Sequence, residues 1–93
     1  MPHTRILTYS PAGEPGILEG KFLQLTWQGQ EYLIFAAREL HRYHNQILAH
    51  FLKENDIPHL WPREDLLEVL DPELKVIGGG RFRLDLGQEV LDL

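Results

Sequence analysis

The sequence predicts an α+β domain: a mostly antiparallel or mixed β-sheet of roughly four to six strands with two helices packed against it. Three observations predict this class. Short runs of strand-forming residues are separated by turn residues, one long stretch repeats its apolar residues at helical spacing, and 43% of the residues are apolar. The 93 residues fit one domain, with residues 1–19 expected to be loosely ordered and residues 20–93 to fold.

The first half of the chain contains a predicted β-hairpin. Arg5–Tyr9 can form a short strand, which the turn formers of residues 10–16 end. Lys21–Trp27 and Tyr32–Ala36 are rich in strand-forming residues, and Gln28–Gln30 between them contains the glycine of a hairpin turn.

Two helices are predicted next. The first is predicted over Ala37–Asn55, where apolar residues recur at the helical spacing i, i+3, i+4, i+7. On a helix they would form one stripe: Leu40, Tyr43, His44, Ile47, Leu48, Phe51 and Leu52. Pro58 ends this helix because a residue before proline resists the helical conformation. A shorter helix is predicted over Pro62–Leu70, with proline at its first position and acidic residues in its first turn.

The last part of the chain returns to strands. Leu74–Ile77 is predicted to be a strand that enters a loop at Gly78–Gly80. Arg81–Leu86 alternates polar and apolar residues, as a half-buried strand does. After a turn at residues 87–88, Glu89–Leu93 is expected to pair back as the last strand.

The composition argues against several classes of function. The net charge of −5 argues against binding to a nucleic-acid backbone, which needs a cationic surface. The chain has no cysteine, so disulfides, thiolate zinc sites and a cysteine nucleophile are excluded. No long apolar run and no signal-peptide pattern is present, so we expect a cytoplasmic protein with no membrane partner.

Gly78–Gly80 followed by Arg81 is the most informative motif. Consecutive glycines can expose backbone N–H groups in an anion-binding concavity, and arginine adds a planar, permanent charge. Histidine is a common proton-transfer group, and His44 can act on an anion that is held there. Together these residues predict phosphate chemistry.

Each of these residues also has an ordinary structural interpretation, which the residues alone leave open. The glycines fit a β-bulge or a tight crossing of strands, and His44 fits a core or boundary histidine. Lys21 can be a charge that protects an edge strand. Arg81 can form a surface ion pair with Asp85 or Glu89.

Neither a metal nor another cofactor is expected. His41 and His44 are three residues apart and two further histidines follow, but their spacing does not define a third ligand. Ser10 is the single serine, and it lacks the flanking glycines of a hydrolase nucleophile.

The order of the motifs resembles the Janus/Ocnus family, whose characterised members are phosphohistidine phosphatases. Lys21 opens a strand, Tyr43-His44 lies in the first predicted helix, and Gly78-Gly79-Gly80-Arg81 follows the second helical stretch. The resemblance covers roughly residues 20–86, and the ordered combination is much more specific than either motif alone.

The resemblance implies removal of phosphate, without a metal, from histidine or lysine side chains of proteins. It implies that His44 acts as a base or transient nucleophile and that Lys21, Arg81 and the three glycines hold the phosphate. The family's upstream basic residue corresponds to Ala36 here, and Arg38 close by is a further candidate for holding the phosphate.

The chain also differs from the family. The family's Glu-Tyr-His-Ala-Asp-Ile is replaced by the residues 42–47, RYHNQI, and the family's Tyr-Gly-x-Ser turn would begin near Leu93. We therefore expect either a truncated chain or a site without this turn. The alternative function is a non-catalytic phosphate-binding or protein-interaction domain on the same scaffold, which forms a homodimer through an exposed edge at Glu89–Leu93.

Overall fold

The computed structural model describes residues 3–11, 19–85 and 88–92 of the chain. Five strands form one sheet in the order β1-β3-β2-β6-β7, and β4 and β5 form a separate two-stranded sheet. β1 is parallel to β3, whereas the other pairs are antiparallel. The predicted α+β class and mixed sheet are confirmed. The elements are β1 Arg5–Tyr9, β2 Glu19–Trp27, β3 Gln30–Ala37, α1 His44–Glu54, β4 His59–Arg63, β5 Leu66–Val69, β6 Leu74–Asp85 and β7 Gln88–Asp92.

The predicted hairpin forms between β2 and β3. Its two turn residues, Gln28 and Gly29, both have positive φ, of 52° and 76°. Two consecutive residues of this kind follow the right-handed twist of the flanking strands. The strand predicted at Arg5–Tyr9 also forms, and it extends the sheet beside β3.

The helix is shorter than the apolar stripe predicts. It begins at His44 rather than at Ala37, because the side chain of Gln46 caps it: Gln46 Oε1 accepts the backbone N–H groups of Arg42 and Tyr43 at 2.7 and 3.1 Å. Tyr43, a predicted member of the stripe, is 62% exposed. With 11 residues α1 is too short to cross a bilayer, and the described part of the chain has no helix that is long and apolar enough to do so.

The core lies between α1 and one face of the large sheet. Leu25 and Ile34 from the sheet and Phe51 from the helix are almost completely buried. The helix ends at Glu54. Asp56, two residues further on, has a positive φ of 54°, and the N–H of Ile57 bonds back to the carbonyl of Leu52 at 2.9 Å.

The prediction of a second helix over Pro62–Leu70 is wrong. This region contains β4 and β5, which pair through a two-residue turn between Arg63 and Leu66. The burial pattern explains the difference: Leu67 and Val69 pack against the core while Leu66 is 44% exposed, which is the alternation of a strand. Only one helix therefore packs on the sheet within the described residues.

The prediction of a loop at Gly78–Gly80 is also wrong. β6 continues through the three glycines, and none of them has positive φ, so their backbone is extended. Gln24 pairs with Gly78 but Leu25 pairs with Val76, which leaves Ile77 as the extra residue of a β-bulge. The alternative interpretation of the glycines as part of a bulged strand is thus the one that the fold follows.

Candidate functional site

An open cleft lies where the sheet extends past the start of α1. It has a volume of about 480 Å³. The first residues of β2, the second half of β6 and the segment between β3 and α1 form its walls. Its described lining residues are Glu19, Gly20, Lys21, Arg38, His41, Arg42, Tyr43, Arg81, Phe82 and Arg83.

The cleft concentrates positive charge. Five of the nine lysines and arginines of the chain line it, although the chain has a net charge of −5. Among the described lining residues Glu19 is the single carboxylate. Like charges gathered in a concave surface focus their field there, so the cleft favours an anion.

The register of the sheet brings Lys21 and Arg81 together. They are directly opposite each other in the β2–β6 ladder, and Arg83 is opposite Glu19 two positions further on. Lys21 is on the same face as Leu23 and Leu25, the face on which α1 packs, because side chains alternate along a strand. On its other side β6 is paired with β7, whose Asp92 is opposite Arg81 in the Cα register.

Tyr43 and Lys21 meet at the rim of the cleft. The Lys21 ammonium lies 5.5 Å from the centroid of the Tyr43 ring, within the range of a cation–π contact. Arg38 contributes from the other side: its guanidinium is 3.4 Å from a Glu19 carboxylate oxygen, and both side chains are largely exposed. An exposed pair of this kind contributes little energy, so Arg38 can exchange Glu19 for a bound anion.

His44 lies beside the cleft, at the first position of α1. Its Nε2 donates a hydrogen bond to the carbonyl of Gly80 at 3.1 Å. The ring is so close to β6 that a Cβ at Gly79 would be 3.2 Å from both Cδ2 and Nε2. Because a carbonyl can only accept, the neutral ring carries its hydrogen on Nε2 and its lone pair on Nδ1. The glycine motif thus makes room for the imidazole.

The structure brings together three of the predicted phosphate-binding residues, Lys21, Arg38 and Arg81. His44 is adjacent to the cleft and is not among its lining residues. The interpretation of Lys21 as a charge on an edge strand is wrong, because β2 lies between β3 and β6. The ion pairs considered for Arg81 involve side chains outside the described part of the molecule.

Among the basic lining residues, sequence reasoning missed three: His41, Arg42 and Arg83. Arg83 could have been found, because it is two residues beyond Arg81 on a strand and so lies on the same face. His41 and Arg42 were assigned to a helix that begins only at His44, so their position was not predictable from helical spacing.

His41 belongs to a further cluster, which we call the histidine relay: His41, His50, Glu54 and Tyr9. Nε2 of His41 is 2.7 Å from Nδ1 of His50, and Nε2 of His50 is 3.7 Å from Oε2 of Glu54. The His50 ring stacks on the buried Tyr9 at 3.8 Å, and the Tyr9 hydroxyl donates to Glu54 at 3.3 Å.

The environment of the relay changes two pKa values. Burial, together with the neighbouring His50, lowers the pKa of His41, while the backbone of Leu40 acts in the opposite direction. Burial also raises the pKa of Tyr9, with a further contribution from Glu54, so Tyr9 stays neutral. In the described residues no three His, Asp or Glu side chains are arranged to hold a metal ion.

No protein-family model, curated protein or solved structure matches this chain. The resemblance to the Janus/Ocnus family therefore depends on the order of the sequence motifs. What the cleft can do follows from its charges and from the histidines beside it.

Proposed function

We propose that the protein is a phosphohistidine phosphatase of the Janus/Ocnus type, which binds phosphorylated protein side chains in the cationic cleft. The observation that carries the proposal is the cleft itself: Lys21, Arg38 and Arg81 line one concavity in a chain of net charge −5. A phosphoryl group carries up to two negative charges and three acceptor oxygens, which match a cluster of ammonium and guanidinium donors.

The proposed reaction transfers the phosphoryl group to water. Nδ1 of His44 takes a proton from the water as its oxygen bonds to phosphorus, because Nε2 is engaged with Gly80. The phosphorus–nitrogen bond of the phosphohistidine breaks, its electron pair stays on the leaving nitrogen, and that nitrogen takes a proton from solvent. Lys21 and Arg81 stabilise the charge on the transferred group throughout.

The test measures inorganic phosphate released from a histidine-phosphorylated protein. We expect turnover by the wild type and a loss of about 100-fold in both His44→Ala and Lys21→Met, which remove the base and a charge partner. Lys75→Met is the matched control. Lys75 is exposed on the same strand as Arg81, but it pairs with Thr26 near the far end of the ladder, so turnover should be unchanged.

Absence of turnover by the wild type would reject the enzymatic proposal. A second candidate is then a non-catalytic domain that binds phosphorylated partners. Two observations favour it: His44 does not line the cleft, and β7 lies at the edge of the sheet, where another chain can add a strand. Binding of a phosphorylated protein without release of phosphate, lost in Lys21→Met but not in Lys75→Met, would support this candidate.

A further inference from the structure

One end of the histidine relay is a carboxylate, and its charge orders the protons of the two rings. The Glu54 carboxylate is 3.7 Å from Nε2 of His50, an ion-pair separation, so its charge favours the hydrogen of His50 on Nε2 and the lone pair on Nδ1. His41 then donates its Nε2–H to that nitrogen across 2.7 Å. The remaining lone pair is on Nδ1 of His41, the member of the relay that lines the cleft. A proton taken up there adds a positive charge to the wall of the cleft.

Charged side chains line the same cleft as His41. Lysine and arginine stay protonated across the neutral range, and Tyr9 stays neutral because burial raises its pKa. In the protein alone, burial and His50 lower the pKa of His41, so His41 is mainly neutral at neutral pH. Among the described residues, the charged and titratable groups that line the cleft or belong to the relay are Tyr9 from β1, Glu19 and Lys21 from β2, Arg38, Arg42 and Tyr43 from the segment before α1, His50 and Glu54 from α1, and Arg81 and Arg83 from β6. His44 of α1 lies beside the cleft.

We propose that the cleft binds its oxyanion together with one proton, which is held by His41 and stabilised through His50 and Glu54. The ligand class is a dianionic oxyanion, such as a phosphoryl group or sulfate. This inference rests on the proposed function in one respect: it takes the cleft to be an anion site. It adds that His41, rather than the lysine and arginines alone, sets how the affinity depends on pH.

Anion binding and protonation of His41 are thermodynamically linked, so each strengthens the other. A bound dianion raises the pKa of His41, and protonated His41 tightens anion binding by the same factor. The cleft is open to solvent, so we expect a coupling at the lower end of the usual range, about fivefold. The Glu54 carboxylate lies 3.7 Å from the ring nitrogen of His50, so its negative charge is close to the far end of the relay.

Sulfate is the probe, because it remains a dianion where phosphate titrates. Wild-type protein is titrated with sulfate at about pH 7.5 and about pH 5.5, and NMR follows the backbone amides and the Cε1–H of each histidine. We expect binding about fivefold tighter at the lower pH, and a pKa of His41 that rises under saturating sulfate by the logarithm of the same factor. His41→Asn should bind sulfate with nearly equal affinity at both pH values.

One variant provides the control. His59→Asn removes a histidine that bonds to the Ile57 carbonyl and does not line the cleft, so it should keep the pH dependence. If the pH dependence survives in His41→Asn or disappears in His59→Asn, the inference is wrong.

The outcomes separate the two proposals. Sulfate binding that is equal at both pH values in the wild type overturns the role of His41 and leaves the anion site standing. Absence of sulfate binding at either pH overturns both. If His41→Asn does not fold, the pKa of His41 is compared in the wild type with and without sulfate. A pKa that does not rise when sulfate binds overturns the inference.

Discussion

The two ends of the β2–β6 ladder differ: one is packed into the core region and the other lines the open cleft. At one end Trp27 is paired with the buried Leu74, its indole N–H bonds to Asp71 at 3.0 Å, and its ring meets Phe51 edge-on at 5.8 Å. At the other end Lys21 is paired with Arg81 and both line the cleft. The first end is part of the packed structure, whereas the second leaves charged side chains in contact with solvent.

The difference comes from where the apolar residues of α1 end. Ile47 and Phe51 cover the sheet near Leu25, so that region buries apolar surface and stabilises the fold. The residue at the start of the helix is His44, and opposite it β6 has glycine. Among the described residues, most of those that line this end are charged, and they leave an open cleft with room for a ligand. We therefore expect substitutions at the two ends to affect different measurements.

The largest expected effect is on stability, at the packed end. Phe51→Ala removes a side chain that is only 1% exposed and contacts both Trp27 and Tyr32, so it should lower the free energy of unfolding by about 3–5 kcal/mol. Urea unfolding measures this free energy in the variant and in the wild type. At the cleft end, Lys21→Met should change the same quantity by less than about 0.5 kcal/mol. Equal losses in the two variants would contradict the division between the ends.

An intermediate effect is expected at the glycines. Gly79→Ala places a Cβ 3.2 Å from the His44 ring and from the Phe22 carbonyl, so the ring must move away from Gly80 at a cost of about 1–3 kcal/mol. The readouts are urea unfolding and the NMR signal of His44.

Gly78→Ala is the matched control for this substitution. Its Cβ would meet the flexible end of Gln24, which can turn aside, so stability should be unchanged or slightly higher. If Gly79→Ala leaves the His44 signal and the stability unchanged, the close fit of ring and glycine does not matter for the site.

The smallest effect is expected in how the stability of the fold depends on pH, through Asp71 at the packed end. The indole N–H of Trp27, and then the backbone N–H of Glu73, lower the pKa of Asp71. The native state therefore favours the carboxylate, and its contribution to stability is present above the ordinary pKa of aspartate, about 4, and is lost as the pH falls below it. Asp71→Asn should lose less stability than the wild type on acidification. Identical acid unfolding curves would exclude this contribution.

Local patterns were sufficient where one segment determines its own structure. The Gln28–Gln30 hairpin turn and the strand at Arg5–Tyr9 were predictable for this reason. The helix at Pro62–Leu70 was not, because a proline and acidic residues in a first turn also fit a short strand pair. There, the packing of Leu67 and Val69 against the core overrides the helical signal.

Among the site residues, Lys21, Arg81 and His44 were recognisable from sequence because each belongs to a motif, and Arg38 because it is close to a motif position. His41 and the histidine relay were not. His41 comes before the helix, His50 lies within it and Tyr9 is on the far strand, so only the folded chain joins them.

The sequence by itself determined the α+β class, the strands on either side of Gln28–Gln30, the apolar stripe of the helix and the types of charge available. These depend on side-chain periodicity and turn chemistry, which are local properties. Only the tertiary structure decided that Gly78–Gly80 is part of a strand and that five cations converge on one cleft. Register and helix position set those features, and both depend on which distant surfaces bury each other.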